Sequence, residues 1–269
     1  MGRAVRSVFG ILILFSTSWT ASADAASAEP LTTAQIVERN VSARGGLEAW
    51  RALTTLTMAG TLYAGTKANA ELPIVVQLKR PNMSRLEVDV HGHRLVQAFD
   101  GKTGWKIRPL RGRDIVAPYS PDDVFAARVW GVFAAPPLID LAHGTTRVVF
   151  DGTDVVDGAP AYLLKVFRPD RGEQRVWVDA RSFLDVKYDD TQHSGNGVSF
   201  TVTTYYHQYR TVDGVRIPTS IEVVAGGAQE SRKMVFKDVA INPSLPDGVF
   251  SRPASPGRAA VLHHAAPAP

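Results

Sequence analysis

Apolar and polar residues alternate with a period of two through most of the chain between residues 54 and 241. In the cleanest case, Leu86, Val88 and Val90 lie on one side of a predicted strand and charged residues on the other. Such alternation is typical of a strand with one buried face. The pattern predicts about a dozen strands, at residues 54–62, 72–78, 85–90, 93–99, 103–108, 145–150, 161–167, 173–179, 184–188, 198–209, 216–224 and 232–241.

Most connections between these predicted strands are short and contain glycine. Parallel neighbours need a crossover of a dozen residues or more, so short connections predict antiparallel pairing. The predicted fold class is mainly β (α+β), with one large antiparallel sheet that must curl, close or be covered on one face. Turns are predicted at Asp100-Gly101, Asp151-Gly152, Asp157-Gly158, Gly195-Asn196-Gly197, Asp213-Gly214 and Gly226-Gly227.

The period of two is not found before residue 54, and a helix is predicted there at residues 34–43. Thr32-Thr33 supplies a side chain that can cap the first turn, and Gly45-Gly46 ends the helix. A second helical turn follows at residues 47–53 and carries Trp50. These helices are candidates to cover one face of the sheet.

The one long connection, at residues 120–143, is predicted to be helical. Ser120-Pro121-Asp122-Asp123 has the pattern of a helix start, with a capping serine, an early proline and acidic residues in the first turn. A helix this apolar must be buried on more than one side. It is either a core helix under the sheet or a lid over an apolar cavity for acyl chains. The candidate lid residues are Phe125, Val129, Trp130, Phe133, Leu138 and Ile139.

Residues 1–23 have the pattern of a secretory signal peptide. Arg3 and Arg6 precede an apolar run at residues 8–15, and Ala21-Ser22-Ala23 provides small residues for cleavage. A membrane anchor is the competing interpretation, but this run is too short to span roughly 30 Å of hydrocarbon. The possible cleavage sites follow Ala23, Ala25 and Ala28, of which the first is preferred.

Cleavage leaves residues 24–250 as a single predicted domain, and the Pro/Ala-rich residues 251–269 as a predicted disordered tail. The chain of 269 residues contains no cysteine, which excludes disulfides, thiolate metal sites and a lipid-modified N-terminus. The net charge of +4 falls to +2 once two arginines leave with the signal peptide, and no Lys/Arg run follows. Nucleic acid is therefore not expected as a partner.

Catalytic motifs are missing from the sequence. We find no G-x-S-x-G, no P-loop, no G-x-G-x-x-G after a strand and no H-E-x-x-H. His91 and His93 could share a metal ion, but Gly92 between them is more typical of a hairpin turn. No enzyme activity, metal or cofactor is predicted.

Several segments resemble those of periplasmic outer-membrane lipoprotein-sorting and LolA-like proteins. They are Ile36-Val37-Glu38-Arg39-Asn40 with Gly45-Gly46, Trp50 and Gly60, Phe99-Asp100-Gly101-Lys102-Thr103-Gly104-Trp105, Val176-Trp177-Val178-Asp179 with Phe183-Leu184, and Tyr209-Arg210 with Asp213-Gly214-Val215-Arg216-Ile217-Pro218. The resemblance implies an unclosed antiparallel β-barrel, or half-barrel, with helices plugging its mouth and an apolar interior that holds lipid or lipoprotein acyl chains.

The sequence and this resemblance together predict a periplasmic carrier that ferries acyl chains between the membranes of the envelope. Its partners would be lipid or lipoprotein acyl chains and transient donor and acceptor proteins at the membranes. Met58, Leu62, Trp105 and Trp177 are the candidate lining residues on the sheet, facing the lid residues named above. A lipid-sensing or envelope-stress module on the same fold is the alternative function, and a hydrolase is a third.

Overall fold

The structure is a computed structural model. It describes residues 30–64, 70–110, 113–120, 123, 136–139, 146–169, 172–193, 199–226 and 231–253. The predicted signal peptide, most of the predicted insert helix and the tail beyond residue 253 lie outside the described residues. Among the helices that are described, none is long and apolar enough to cross a membrane.

Between Pro30 and the sheet, the structure describes two short helices: α1 (Thr33–Ala43) and α2 (Leu47–Ala52). The side chain of Thr32 accepts a hydrogen bond from the backbone of Gln35, whose side chain accepts one from the Thr32 backbone in return. This reciprocal capping satisfies two backbone donors that a helix N-terminus otherwise leaves unpaired. Helix α1 therefore begins where its capping residue predicts.

Thirteen strands follow within the described residues. They are β1 (Thr55–Ala64), β2 (Ala70–Lys79), β3 (Met83–Val90), β4 (His93–Phe99), β5 (Gly104–Leu110), β6 (Arg113–Pro118), β7 (Arg147–Val156), β8 (Ala159–Arg168), β9 (Gly172–Asp179), β10 (Asp185–His193), β11 (Ser199–Val212), β12 (Val215–Ala225) and β13 (Ser231–Ile241), with a final 3-10 turn at Asp247–Val249.

All thirteen strands form one antiparallel sheet in the order β6-β5-β4-β3-β2-β1-β13-β12-β11-β10-β9-β8-β7. Every neighbouring pair is consecutive in sequence except β1 and β13, which join the two halves at the centre. Strands β6 and β7 are the two edges, and no described ladder joins them, so the sheet is not closed. The segment between Pro118 and Arg147 therefore connects the two edges.

One face of the sheet carries the main core, and we call it the inner face. Its side chains are in register from strand to strand: Leu62 pairs with Met234, which pairs with Ile221. Ile36 of α1 and Trp50 of α2 are buried in the same core. The buried members on the sheet include Leu56, Met58, Leu72, Ile74, Val76, Leu78, Val88, Leu164, Val166, Val176, Val178, Tyr188, Tyr206, Val215, Ile217, Ile221, Met234 and Phe236.

The opposite, outer face has two smaller apolar clusters. Val96, Ala98, Trp105 and Ile107 form one of them, on β4 and β5. Val156, Ala161 and Trp177 form the other, on β7, β8 and β9. Strands near the two edges therefore bury side chains on both faces, which requires cover on the outside of the sheet as well.

The predictions of a mainly β chain and of one antiparallel, unclosed sheet are confirmed. The turn predicted at Asp151-Gly152 is wrong, because β7 continues through it. The ladder shifts register between Phe150 and Gly152, and Gly152 has a φ of +119°. This is a β-bulge, and glycine occupies its left-handed position without a Cβ clash.

Candidate functional site

The inner face supplies a continuous apolar surface. Met58 is fully buried in its core, and Leu62, two pleats along the same strand, packs against that core while half-buried. Both of these predicted lining residues therefore lie on one surface. Because side chains alternate along a strand, the placement of one fixes the face of the other.

The end of the predicted insert packs on this inner surface. Leu138 and Ile139 are 1% and 5% exposed and belong to the same core as the inner-face strands. The backbone N–H of Ile139 donates to the carbonyl of Pro136 at 3.0 Å, which makes a turn at this point. The other predicted lid residues lie outside the described residues: Phe125, Val129, Trp130 and Phe133.

The predicted lining residue Trp105 lies on the outer face, so it does not share a surface with Met58. It is in register with Ala98, which pairs with Arg85 on β3. Its indole N–H donates to the carbonyl of Phe250 at 2.7 Å, and the Arg85 guanidinium lies 5.5 Å from its ring centroid. Trp105 thus fastens the C-terminal segment to the outside of the sheet.

Trp177 also lies on the outer face. It pairs with Lys187, whose ammonium lies 3.9 Å from the indole centroid. Its indole N–H donates to Asp154 at 2.8 Å, and this hydrogen bond is the main cause that lowers the pKa of that carboxyl. Alternation within one strand does not say which face the neighbouring strand turns inward, so the sequence pattern alone does not separate these two tryptophans from Met58.

A buried polar junction joins α1 to β10 at one end of the inner surface. The Arg44 guanidinium donates to the Asp185 carboxylate, and the Asn40 amide donates to the other oxygen of that carboxylate at 2.9 Å. Asn40 also donates to the carbonyl of Phe183, and the Tyr209 hydroxyl donates to the carbonyl of Asp185 at 2.7 Å. An ion pair buried to this degree needs such additional hydrogen bonds to offset its desolvation.

Burial controls the titration of this junction. Loss of hydration raises the pKa of Asp185, while Arg44 and Asn40 act in the opposite direction. Burial likewise raises the pKa of the Tyr206 and Tyr209 hydroxyls, so both rings stay neutral at ordinary pH. The Arg44 guanidinium also lies 4.9 Å from the centroid of Trp50 and 5.3 Å from that of Tyr209. The cation is thus enclosed by one carboxylate and two aromatic faces.

The glycines next to Arg44 bring the helix close to β12. Gly45 has a φ of +105°, and a Cβ at this position would lie 2.0 Å from the carbonyl oxygen of Gly214. Only glycine permits this approach. The approach lets the Arg216 N–H donate to the Arg44 carbonyl at 2.9 Å and the Arg44 Nε–H donate to the Arg216 carbonyl at 3.1 Å. Two of the segments that carry the family resemblance, at Gly45-Gly46 and at residues 214–216, therefore meet at this junction although they are far apart in sequence.

A small crevice opens beside the junction. Arg44 and Asp185 are its charged lining residues, and the predicted insert contributes Pro136 and Pro137. The crevice is lined by Arg44, Pro136, Pro137, Val176, Asp185, Tyr188, Tyr206 and Pro218. The end of the insert, the N-terminal helix and the inner sheet face therefore come together at one place.

The start of the insert is fixed at the other half of the sheet. The Lys106 ammonium and the Ser120 hydroxyl both bond the Asp123 carboxylate, and the Arg108 guanidinium lies 3.9 Å away. The Ser120 and Asp123 backbones and side chains cap each other, as a helix start requires. Burial alone would raise the pKa of Asp123, but the bonds from Lys106 and Ser120 outweigh it and lower that pKa.

The segment around Asp100 builds a turn rather than a binding site. Its carboxylate accepts hydrogen bonds from the backbone N–H groups of Lys102 and Thr103, and the Thr103 bond is the main cause that lowers its pKa. Gly104 follows, where a Cβ would lie 1.8 Å from the Tyr119 ring. The spacing of this segment is thus explained by local packing.

Sequence reasoning missed Arg44 and Asp185. One signal was present: Asn40 and Arg44 are four residues apart and so lie on one face of α1, near its C-terminus. Their acidic partner is 141 residues beyond Arg44, and nothing local in the sequence identifies it.

The comparisons with known proteins bear on the fold. No protein-family model matches the chain, and no curated protein matches its sequence. Among solved structures, the chain is similar to a LolA superfamily protein from Nitrosomonas europaea, with 17% identity and a TM-score of 0.52 over 83% of this chain and 99% of that one. It is also similar to a DUF1329 family protein from Desulfovibrio piger, with 11% identity and a TM-score of 0.50 over 80% and 95%. The chain therefore has the LolA-like fold.

Proposed function

We propose that this protein is a carrier that binds lipid or lipoprotein acyl chains on the inner face of its sheet and ferries them between membranes of the cell envelope. One observation carries the proposal: an unclosed sheet has an apolar inner face, and the segment that connects its two edges covers part of that face with Leu138 and Ile139. The LolA-like fold and the family resemblance of the sequence support it.

An acyl carrier needs a surface that competes with a membrane. Each methylene removed from water contributes about 0.8 kcal/mol, so a long acyl chain requires a deep apolar surface. The inner face offers such a surface only when its own cover moves aside, because the described side chains already fill the core. Acyl chains would then lie on Met58, Leu62 and their inner-face neighbours.

The insert is the proposed lid, with Phe125, Val129, Trp130 and Phe133 as its acyl-facing residues. Two anchors on described residues support this arrangement. Asp123 holds the start of the insert at Lys106, and Pro136–Ile139 packs beside the polar junction. A segment tied at both ends can lift from an apolar surface without leaving the protein.

The site of action follows from the predicted signal peptide. Cleavage after Ala23 would release the mature chain into the periplasm, where it would act as a diffusing protein. The carrier would then receive its cargo from a donor protein at one membrane and deliver it to an acceptor at the other. Both partners would bind transiently.

Lipid extraction tests the proposal. The full chain is purified from exported material without detergent, and its bound lipids are identified by native mass spectrometry and after organic extraction. We expect co-purifying acyl lipids and saturable uptake of a fluorescent fatty acid by the delipidated protein. Absence of both would overturn the carrier. Transfer of the bound acyl chain to vesicles separates a carrier from a sensor, since a sensor would bind lipid without delivering it.

A further inference from the structure

A second polar site lies on the inner face, away from the Arg44–Asp185 junction. Gln174 of β9 is on the same face as Val176 and Val178, and it is 1% exposed. It precedes Val178 by four residues, which corresponds to about 13 Å along the strand. Val178 pairs with Asp185, so the polar junction is at the other end of the same strand.

The surroundings of Gln174 are apolar on two sides. It pairs with Val166 on β8, and Val176 follows it on its own strand. On β10 it pairs with Asp190, which in turn pairs with Val202 on β11. A glutamine amide in such a position is costly to bury unless both ends of the amide are hydrogen-bonded.

Only one end of the Gln174 amide is satisfied by the described residues. Its Nε2 donates to Oδ1 of Asp190 at 3.1 Å. That bond fixes the orientation of the amide, because the reverse orientation would place two oxygens against each other. Its Oε1 is fully buried and accepts no hydrogen bond in the part of the chain that the structure describes.

We infer that Gln174 is a recognition residue for the polar part of the cargo. The inference rests on the proposed function. An acceptor held in one orientation on an apolar surface selects a neutral hydrogen-bond donor, such as a hydroxyl or an amide N–H close to an acyl chain. The acyl chain would lie on the apolar inner face. The hydroxyl or N–H of the polar part of the same lipid would donate a hydrogen bond to Oε1 of Gln174. The site therefore favours an acylglycerol or an acyl amide over an acyl group without a donor.

Three probes with the same acyl chain test this inference on the full mature protein. Monopalmitoylglycerol supplies hydroxyl donors, palmitamide supplies N–H donors, and methyl palmitate supplies none. Each competes with a bound fluorescent fatty acid. We expect at least one donor-bearing probe to compete about fivefold more strongly than methyl palmitate. This is the affinity ratio that corresponds to the net free energy of one hydrogen bond. Equal competition by all three would overturn the donor site while leaving the carrier intact.

Variants assign the selectivity to Gln174. Gln174→Leu should reduce the ratio between donor-bearing probes and methyl palmitate to about one, by weakening only the former. Gln77→Leu is the matched control, because Gln77 is also a buried strand glutamine but faces outward, next to Arg85. An unchanged ratio in Gln174→Leu would overturn the assignment.

Two further outcomes keep the test decisive. If Gln174→Leu does not fold, Gln174→Met replaces it, because methionine has a side chain of similar length without the acceptor. The comparison of the three probes on the wild-type protein tests the donor site without any variant. If neither the fluorescent fatty acid nor any probe binds the wild-type protein, the proposed function fails and this inference fails with it. Binding without selectivity is a different result and overturns the donor site alone.

Discussion

The guanidinium of Arg44 and the carboxylate of Asp185 form an ion pair whose side chains are only 3% and 6% exposed. The pair connects the C-terminal end of α1 to the first residue of β10. It lies where segments that carry the family resemblance meet, beside Pro136 and Pro137 of the insert. This pair links the fold to the proposed site, and the first two predictions concern it.

Removal of one partner should destabilise the protein strongly. Arg44→Leu leaves the Asp185 carboxylate buried without its cation, so we expect the free energy of unfolding to fall by about 3–5 kcal/mol. Urea denaturation measures this. The double variant Arg44→Leu/Asp185→Leu should recover most of the loss, because it removes both charges. A double variant as unstable as the single one would show that the loss comes from packing rather than from the unpaired charge.

The pH dependence of that deficit has a defined sign. Burial raises the pKa of Asp185 above its unfolded value, and loss of Arg44 should raise it further. When the pKa of a carboxyl is higher in the folded protein than in the unfolded chain, the protein loses stability as the pH rises from the unfolded pKa through the folded pKa. The deficit of Arg44→Leu should therefore be smallest near pH 3 and grow toward neutrality. Unfolding curves of both proteins across this range measure it, and a constant deficit would contradict the prediction.

Asp123 should show the opposite dependence on pH. Its folded pKa lies below the ordinary value of 3.8, because the bonds from Lys106 and Ser120 outweigh burial. The ionised Asp123 carboxylate therefore contributes its full stabilisation of the folded protein at pH values above the ordinary pKa. This contribution is lost as the pH falls through the lower pKa of the folded state. We expect Asp123→Asn to cost about 2 kcal/mol at neutral pH and progressively less in acid. Lys106→Met, which removes the cation, is the matched variant for the same bond.

The C-terminal segment should be part of the folded unit up to Pro253. Phe250 is fully buried, and its carbonyl accepts the hydrogen bond from Trp105. Phe250→Ala should lower the free energy of unfolding by about 3–5 kcal/mol through the cavity that it creates. Truncation after Pro253 keeps these contacts and serves as the control. Equal losses from both changes would contradict this role for the segment.

The lid proposal predicts a specific loss of uptake. Trp130→Asp places a charge among residues proposed to contact acyl chains, so uptake of a fluorescent fatty acid should fall at least about tenfold. Trp130→Phe keeps an apolar ring and should retain most of the uptake. Unfolding curves of both variants establish whether the fold is intact. Normal uptake by a folded Trp130→Asp variant would remove the lid from the proposed mechanism.

Local patterns predicted most of the sheet because strand and turn formation depend on neighbouring residues. The alternation at Leu86, Val88 and Val90 and the short turn at Asp213-Gly214 identify strands and antiparallel neighbours without any distant information. Strand β6 was not predicted, since an edge strand with little burial does not need alternating residues. The bulge at Gly152 resembled a turn for a similar reason, because both use a glycine with positive φ.

The candidate site was predictable only in part. Leu138 and Ile139 were predicted as cover for an apolar surface, and the structure buries both of them on the inner face. Met58 and Leu62 share that face, whereas Trp105 and Trp177 do not. The face of each strand depends on its register with its neighbours and on bulges such as that on β13 opposite Ala59 and Gly60. Neither is determined within a single strand.

The sequence by itself determined most of the strands, their antiparallel pairing and the helix start at Thr32, because these depend on residues a few positions apart. Tertiary structure decided which side chains face inward and which distant residues meet. Gln174 meets Asp190 through the ladder between β9 and β10, whereas Arg44 meets Asp185 where the end of α1 packs beside β10. Burial at those meeting points sets the charge and hydrogen-bonding properties of the proposed carrier, and burial is a property of the assembled chain.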